Sequence, residues 1–332
     1  MTITTLKVAP HLLAPTLNLI ETAFKYKKPQ SFAVDFAPLL SESNLENSFI
    51  VINENEKVLA HISVCLRRIL GMPVAMLGGI AVDEAHRGEG HFNSLILDVM
   101  SEYKSEVAFF MLWSDQEKLY NKYGFHLCGN QIEINQTSGF KDFHCTKLKD
   151  LSDNQIQEIH QLYSESFCKI YTSIDRTAND WRELMRIHSS NLYIREEHGK
   201  IQEYFFMDKG QDLEGIIFEY GTKHDFKAFI QKISTYGRVW LGEKFIDDGE
   251  LQFQFFIAPG DTQLFTQFID QYTSHKITIR EINLFKQEVY FYFNKELLSL
   301  ESDDFLRGIF GPGVFEELGD LKPIFISGLD SI

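Results

Sequence analysis

The sequence predicts an α/β fold of mixed sheet direction in two successive units, and three observations point there. Residues 73–82 (PVAMLGGIAV) are almost wholly apolar, the pattern of a strand covered on both faces, and a glycine-containing turn and a helix follow at once. Up to residue 140 the elements run helix, three strands, helix, strand, helix, strands. Beyond it the order is similar in outline, as in two duplicates that have diverged. A chain of 332 residues has room for two domains of roughly 150 residues each. Its 29 phenylalanines are enough to pack a core in both.

The elements follow from periodicity. Apolar Leu13, Leu17, Ile20 and Phe24 fall at helical spacing between Pro10 and Lys27. Asn47–Asn53 and Lys57–Ile69 read as strands of a hairpin around the polar turn Glu54-Asn55-Glu56. After the buried strand 73–82, a helix runs from Gly90 to Tyr103 with Phe92, Leu95, Ile96 and Val99 on one stripe. Val107–Trp113 (VAFFMLW) is a second buried strand. Asp115 is expected to cap a short helix over Gln116–Tyr123, which Gly124 ends as a left-handed residue. Phe125–Leu127 and Gln131–Asn135 complete the first unit, with the boundary in the polar stretch Thr137–Asp142. The second unit offers helices over 152–167, 175–188 and 224–236. Its strands are expected over 191–196, 200–207, 213–220 and 239–241, and in LQFQFFI and EVYFYF with a helix between those two.

Composition excludes several classes. The net charge is −15, with −4 in residues 1–140 and −11 in the remainder. Such a balance opposes nucleic-acid binding, where neutralising phosphate supplies most non-specific affinity. Solubility is its ordinary reason. Steering of cationic partners such as polyamines, aminoglycosides or lysine-rich peptides is the second. No window reaches about 18 consecutive apolar residues, and MTITTLKVAP lacks the pattern of a secretory signal, so neither a membrane span nor a leader is expected. Cys65, Cys128, Cys145 and Cys168 have neither CxxC spacing nor disulfide-scaffold density, which suits reduced thiols in the cytoplasm.

The chemistry concentrates in GGIAVDEAHRGEGHFNSLI, residues 78–96. Glycines permit positive φ and close backbone approach. A helix start leaves free N–H groups at the positive end of its dipole, a ready anion site, and Arg87 can add a charge-assisted bond to a phosphate. An ordinary α/β connection carries the same elements, so the loop alone does not decide. Downstream, Tyr120-Asn121-Lys122-Tyr123-Gly124-Phe125 forms the pattern YxxxGF.

Together these stretches resemble motifs A and B of the GCN5-related N-acetyltransferase (GNAT) superfamily. Arg87, Gly90 and Phe92 stand at the three defined positions of Arg/Gln-x-x-Gly-x-Gly/Ala, although Phe92 replaces the usual small residue. The resemblance implies a GNAT fold in residues 1–140 and acetyl-CoA as acyl donor. The backbone of Ile80, Ala81 and Val82 would pair with the pantetheine arm. Amides of Gly88, Glu89, Gly90, His91 and Phe92, with Arg87, would hold the pyrophosphate. Tyr120 would protonate the departing thiolate, a role open to a phenol neutral at pH 7. Packing beside Phe125 is its simpler alternative. A neutral amine attacks the thioester directly, and a backbone N–H of strand 80–82 can stabilise the oxyanion.

No acidic residue lies within Val74–Val82, where some members place a glutamate, so the base stays unassigned. Ser114 and Asp115 lie near the right strand end. His61 and His91 are expected to be satisfied or solvent-facing. No His/Cys/Asp cluster has metal-ligand spacing, so no metal is expected, and no GxSxG supports a serine triad.

In residues 141–332 the strand ending EYG continues as TKHDFKAF without a second phosphate loop. The whole pattern is similar to tandem GNAT proteins with an active first copy and a degenerate second that shapes the acceptor site. Arg176, Trp181, Tyr204, Glu219 and the ending GLDSI agree with relatives of the enhanced intracellular survival acetyltransferases. That resemblance implies the C-terminal carboxylate of Ile332 as base. The function implied is transfer of an acetyl group from acetyl-CoA to a primary amine on a small molecule or peptide. The alternatives are a non-catalytic acyl-CoA-binding or regulatory protein, and a protein-binding module using the acidic second half.

Overall fold

The computed structural model describes residues 4–135, 142–242, 250–252, 255–283 and 286–332. The first part holds β1 (Thr4–Lys7), α1 (Leu13–Ala23), α2 (Phe32–Asp35), β2 (Ser48–Ile52), β3 (Val58–Ile69), β4 (Met72–Val82), α3 (His91–Tyr103), β5 (Phe109–Leu112), α4 (Glu117–Tyr120), β6 (His126–Cys128) and β7 (Gln131–Ile134). The second holds β8 (His144–Thr146), α5 (Asp153–Leu162), α6 (Cys168–Ile170), α7 (Ala178–Leu184), β9 (Asn191–Glu197), β10 (Lys200–Met207), β11 (Ile216–Thr222), α8 (Phe226–Ile233), β12 (Arg238–Leu241), β13 (Glu250–Gln252) and β14 (Phe255–Pro259). α9 (Thr262–Tyr272), β15 (Ile277–Asn283), β16 (Glu288–Phe293), β17 (Glu296–Glu301) and α10 (Ser302–Phe310) close the chain.

Two seven-stranded sheets share one plan. The first runs β1-β2-β3-β4-β5-β14-β6 and the second β8-β9-β10-β11-β12-β7-β13. Each has one parallel pair among the described pairings, β4 with β5 and β11 with β12. Position for position the orders match, except that β7 and β14 have changed places. Each sheet therefore borrows a strand from the far side of residue 140, and LQFQFFI, expected as one strand, divides into β13 and β14 in different sheets. Most of the expected boundary, residues 136–141, lies outside the described residues.

Local chemistry explains several departures from the periodic reading. The first helix opens with a 3₁₀ turn at Pro10–Leu12 and ends at Ala23, shortly before Lys25 turns left-handed at φ 56°. Helix α5 starts at a Ser152–Gln155 capping box and loosens into a π turn at Tyr163–Phe167. The strands β1, β8, β15 and β17 and the helices α2 and α10 were not legible from periodicity. Among the described residues no helix is long and apolar enough to cross a membrane.

Strand alternation sorts the core. On β5, Phe110 and Leu112 face α3 with Leu95, Ile96 and Val99, while Phe109 and Met111 face α9. Phe109 meets Phe268 with ring centroids 4.8 Å apart. The exchanged β14 obeys the same rule, Phe256 and Ala258 to one side and Phe255 and Ile257 to the other. Tyr204, Phe205, Phe218 and Tyr220 belong to the separate core of the second sheet.

A bulge shapes β4. His61 pairs with Ala81 and Ser63 with Gly78, so Gly79 and Ile80 both stand opposite Ile62. Gly79 takes φ +60°, and a Cβ there would lie 3.1 Å from the His61 ring. His61 is fully buried and its Nδ1–H donates to the Gly79 carbonyl at 2.7 Å, leaving Nε2 without a partner. Sequence reading expected a satisfied or solvent-facing histidine; half of the ring's capacity is unmet. Burial lowers its pKa to about 4 from the usual 6.5. The unfolded chain therefore holds the extra proton between those values, and stability falls as pH drops from 6.5 towards 4 by roughly 1.4 kcal/mol per unit. Denaturant unfolding at pH 7 and pH 5 should show about 2 kcal/mol lost in the native chain and a flatter dependence in His61→Gln. Equal slopes in the two proteins would exclude His61 as the source.

Candidate active site

Strands β4 and β5 pair in parallel only from Val74–Phe109 to Met76–Met111. β5 ends at Leu112, while β4 runs on to Val82 with β3 as its neighbour. The parted strands leave one edge of residues 77–82 without a described strand partner, and a cavity of about 1020 Å³ opens there. Ile80, Ala81 and Val82 line it, as do Trp113, Ser114 and Asp115 from beyond β5.

The loop after β4 supplies the second wall. Gly88 and Gly90 both take φ +86°, and a Cβ at either would meet nothing within 4 Å, so the backbone conformation and not crowding calls for glycine. Gly90 is the left-handed N-cap of α3, with no side-chain cap and no acidic residue in the first turn. The leading amides of α3 are thus left for a ligand. Arg87, Gly88, Gly90, His91 and Phe92 line the cavity. Glu89, also expected in this set, does not; its carboxylate accepts from His86 Nδ1–H at 3.2 Å and from His91 Nε2–H at 3.1 Å. No metal-ligand spacing was expected here, yet the folded loop brings one ligand atom of each of these three residues within 4.8 Å of one another.

Tyr120 lines the same cavity and is 5% exposed. Its ring is caged by Phe92, Phe125 and Phe256, with centroids 5.8, 6.0 and 5.8 Å away. Burial pushes the phenol up to about 12, against a smaller opposing pull from the Ser114 hydroxyl. The departure from a small residue at Phe92 has a use here, since its ring also meets Tyr123 at 5.5 Å. Asp115 does not cap the next helix, contrary to expectation. Gln116 is the N-cap, Ser114 Oγ accepts its N–H at 3.0 Å, and Asp115 accepts only from the Gln116 side chain. Asp115 is thus exposed at the cavity. Gly124 ends the turn at φ +80° as read.

The chain terminus enters from the far side. A Cβ on Gly78 would lie 2.8 Å from the carboxyl carbon of Ile332, so that glycine exists beside the terminus for want of room. A buried network holds the last residues. Arg176 is fully buried and donates to both carboxylate oxygens of Glu219, with Nη1 to Oε1 at 2.9 Å. Its Nε and Nη2 reach Asp330 at 3.0 and 2.8 Å. The guanidinium lies 4.0 Å from the Tyr163 ring and 4.6 Å from that of Trp181. Ser327 donates to Glu219, as does Tyr204 at 3.0 Å. Lys209 Nζ donates to the carbonyls of Gly328 and Ser331 at 2.7 and 2.6 Å. Burial lowers this amine to about 7, opposed by Asp330. Arg176, Trp181, Tyr204 and Glu219, noted separately in the sequence, thus form one device.

Sequence reading gave no individual role to Gly78 or Asp330 and missed Lys209 and the apolar wall of Phe24, Phe32, Phe36, Leu213 and Trp240. The pair Gly78-Gly79 inside a strand was an available signal for close approach or a bulge.

Among the described residues the equivalent place in the second sheet is bridged by side chains. β11 and β12 pair at Ile216–Arg238 and Ile217–Val239 and then part. Tyr220 donates to the Trp240 carbonyl at 3.0 Å and contacts the Tyr171 hydroxyl at 2.8 Å across the gap. The following helix is capped by Asp225, which accepts from Ala228 N–H at 2.8 Å.

Residues 9–128 match the family model described as an Acetyltransferase (GNAT) domain. This part of the chain is a GNAT domain. The GNAT fold extends over most of the remainder. A GCN5-related N-acetyltransferase from Anabaena variabilis aligns with a TM-score of 0.57 at 15% identity, over 90% of this chain and 85% of that one. Eis1 from Mycobacterium abscessus aligns with a TM-score of 0.56 at 10% identity, over 90% and 85%. N-myristoyltransferase from Saccharomyces cerevisiae, solved with bound myristoyl-CoA, gives 0.52 at 13% identity, over 77% and 82%. No curated protein matches the sequence.

Proposed function

We propose that this chain transfers an acetyl group from acetyl-CoA to a primary amine, with the catalytic machinery in residues 1–140 and residues 141–332 shaping the acceptor site. One observation carries the reading. The open edge of β4, the uncapped start of α3, a protonated Tyr120 and the terminal carboxylate all meet in one cavity. The yeast myristoyltransferase binds an acyl-CoA on a similar fold.

In this reading Ile80, Ala81 and Val82 offer their outer backbone groups to the pantetheine arm. The amides from Gly88 to Phe92, with Arg87, take the diphosphate; Glu89 takes part through its backbone alone. A backbone N–H of the bulged strand stabilises the oxyanion as the amine attacks the carbonyl carbon. The C–S bond then breaks, and Tyr120 gives its proton to the thiolate. The carboxylate of Ile332, beside Gly78, accepts the proton of the amine, directly or through water. The aromatic wall of Phe24, Phe32 and Phe36 favours an acceptor with an apolar body over a polyamine. A non-catalytic acyl-CoA-binding protein needs the loop but neither the buried phenol nor the anchored terminus.

Three variants test the parts. Gly90→Asp has room for the side chain but sets a carboxylate at the phosphates, and CoA affinity measured by calorimetry should fall at least tenfold, about 1.4 kcal/mol. Unchanged affinity would place the cofactor elsewhere. Tyr120→Phe should lower kcat by about 100-fold while CoA still binds; full turnover with the best amine of a panel would remove Tyr120 from the mechanism. In Gly78→Ala the new methyl displaces the terminal carboxylate without demanding a new backbone conformation, so kcat should drop at least tenfold with CoA affinity retained. A fully active Gly78→Ala enzyme would rule out the terminus as base and leave Asp115 as the carboxylate to test.

A further inference from the structure

The turn that precedes α3 holds a group the acyl-transfer reading does not use. His86, Glu89 and His91 are spaced by three and two residues, and the left-handed backbone at Gly88 and Gly90 folds that short stretch back on itself. One carboxylate oxygen of Glu89 lies 3.2 Å from His86 Nδ1 and 3.1 Å from His91 Nε2. The imidazole centroids are 6.2 Å apart. Ligand atoms about 2.0–2.2 Å from a tetrahedral zinc ion stand roughly 3.3 Å from one another, so both His–Glu separations already suit such an ion. The His91 side chain is 3% exposed and held in place, whereas that of His86 is 20% exposed at the surface and can rotate to close the third side.

From this convergence we infer that His86 Nδ1, Glu89 Oε2 and His91 Nε2 form a binding site for a divalent cation of the zinc class, built into the diphosphate loop. Two imidazoles and a carboxylate are a donor set for zinc or a neighbouring transition metal rather than for magnesium or calcium. Binding takes the place of the two N–H bonds that now bridge to Glu89, each imidazole carrying its proton on the other ring nitrogen and ligating in its neutral form. Three protein ligands leave a fourth position open. The ion also turns the negative charge of Glu89 into a net positive one beside the loop amides. The cation therefore strengthens the hold on a diphosphate. This coupling rests on the proposed role of the loop; the metal site itself does not.

The test titrates full-length protein with Zn2+ alone, in a Cys145→Ser background so that the exposed thiol does not compete. One ion per chain is expected. Affinity should fall at least tenfold in Glu89→Gln and stoichiometric binding should be lost in the His86→Ala/His91→Ala double variant, with circular dichroism showing that the variant is folded. Should the double variant unfold, His86→Ala alone gives the same answer, because that ring is a surface group. Co2+ in place of Zn2+ should give the intense visible bands of four-coordinate cobalt. No stoichiometric binding, or binding unchanged in the histidine variants, overturns the site. Desulfo-CoA, which lacks the metal-binding thiol, then reads the coupling: its affinity should rise at least threefold with Zn2+ over the value in chelator. Metal binding without that rise keeps the site and overturns the coupling. A chain that binds Zn2+ but no CoA analogue keeps the site while the acetyltransferase reading fails.

Discussion

Everything at the candidate site follows from strands β4 and β5 ceasing to pair after Met76 and Met111. A buried strand edge with unmet N–H and C=O groups is unfavourable unless something else satisfies them. Beyond that point β4 keeps β3 on one side and faces a cavity on the other. The bulge at Gly79–Ile80 turns the strand just where the parting begins, and His61 fixes it through the Gly79 carbonyl. A fully buried imidazole with an unmet nitrogen is a destabilising choice for a core. Its persistence fits a backbone held in one conformation for a purpose other than stability.

The terminus is held to this opening with unusual firmness. Chain ends commonly fray, and a buried ion network opposes that here. Glu219, Arg176 and Asp330 have no side-chain exposure, and unpairing one partner of such a buried set costs roughly 3–5 kcal/mol. Release of Asp330 is therefore not a small fluctuation. Lys209 adds bonds to two tail carbonyls. The second sheet, through Glu219 and the Arg176 and Asp330 that pair beside it, thus sets the position of the chain end beside Gly78 in the first.

How much of this the residues disclosed depends on the range of the interactions. The buried strand 73–82, the left-handed turn and α3 are local, and their limits were legible to within a residue or so. So was Gly124, whose role needs only its own φ. The exchange of β7 and β14 was not, because each strand has the same alternation whichever sheet accepts it; partner choice is a long-range matter that period 2 does not encode. Asp115 misled for a similar reason. A short polar residue before a helix normally caps it, but here the helix starts one residue later and Ser114 takes the amide. The convergence of His86, Glu89 and His91 was hidden by two positive-φ glycines that shorten the path between them.

The two sheets, alike in strand order, differ at the start of the helix that follows the parting strand. Both place a helix after the strand that parts from its parallel neighbour, and any helix start turns backbone amides and the positive end of its dipole outward. In the first copy the N-cap is Gly90, which has no side chain to offer, so the charge at the helix start is left for a ligand. In the second, Asp225 occupies the N-cap and its own side chain accepts the amide of Ala228. The gap beside it is bridged by the Tyr171 and Tyr220 hydroxyls. A carboxylate at the helix start and a pair of phenols across the gap thus distinguish the second unit from the first, with the strand plan unchanged. The ion pair that grips the tail grows from that same strand, β11, where Glu219 stands next to Tyr220. The second copy has turned the residues around this gap to holding the end of the chain against the first.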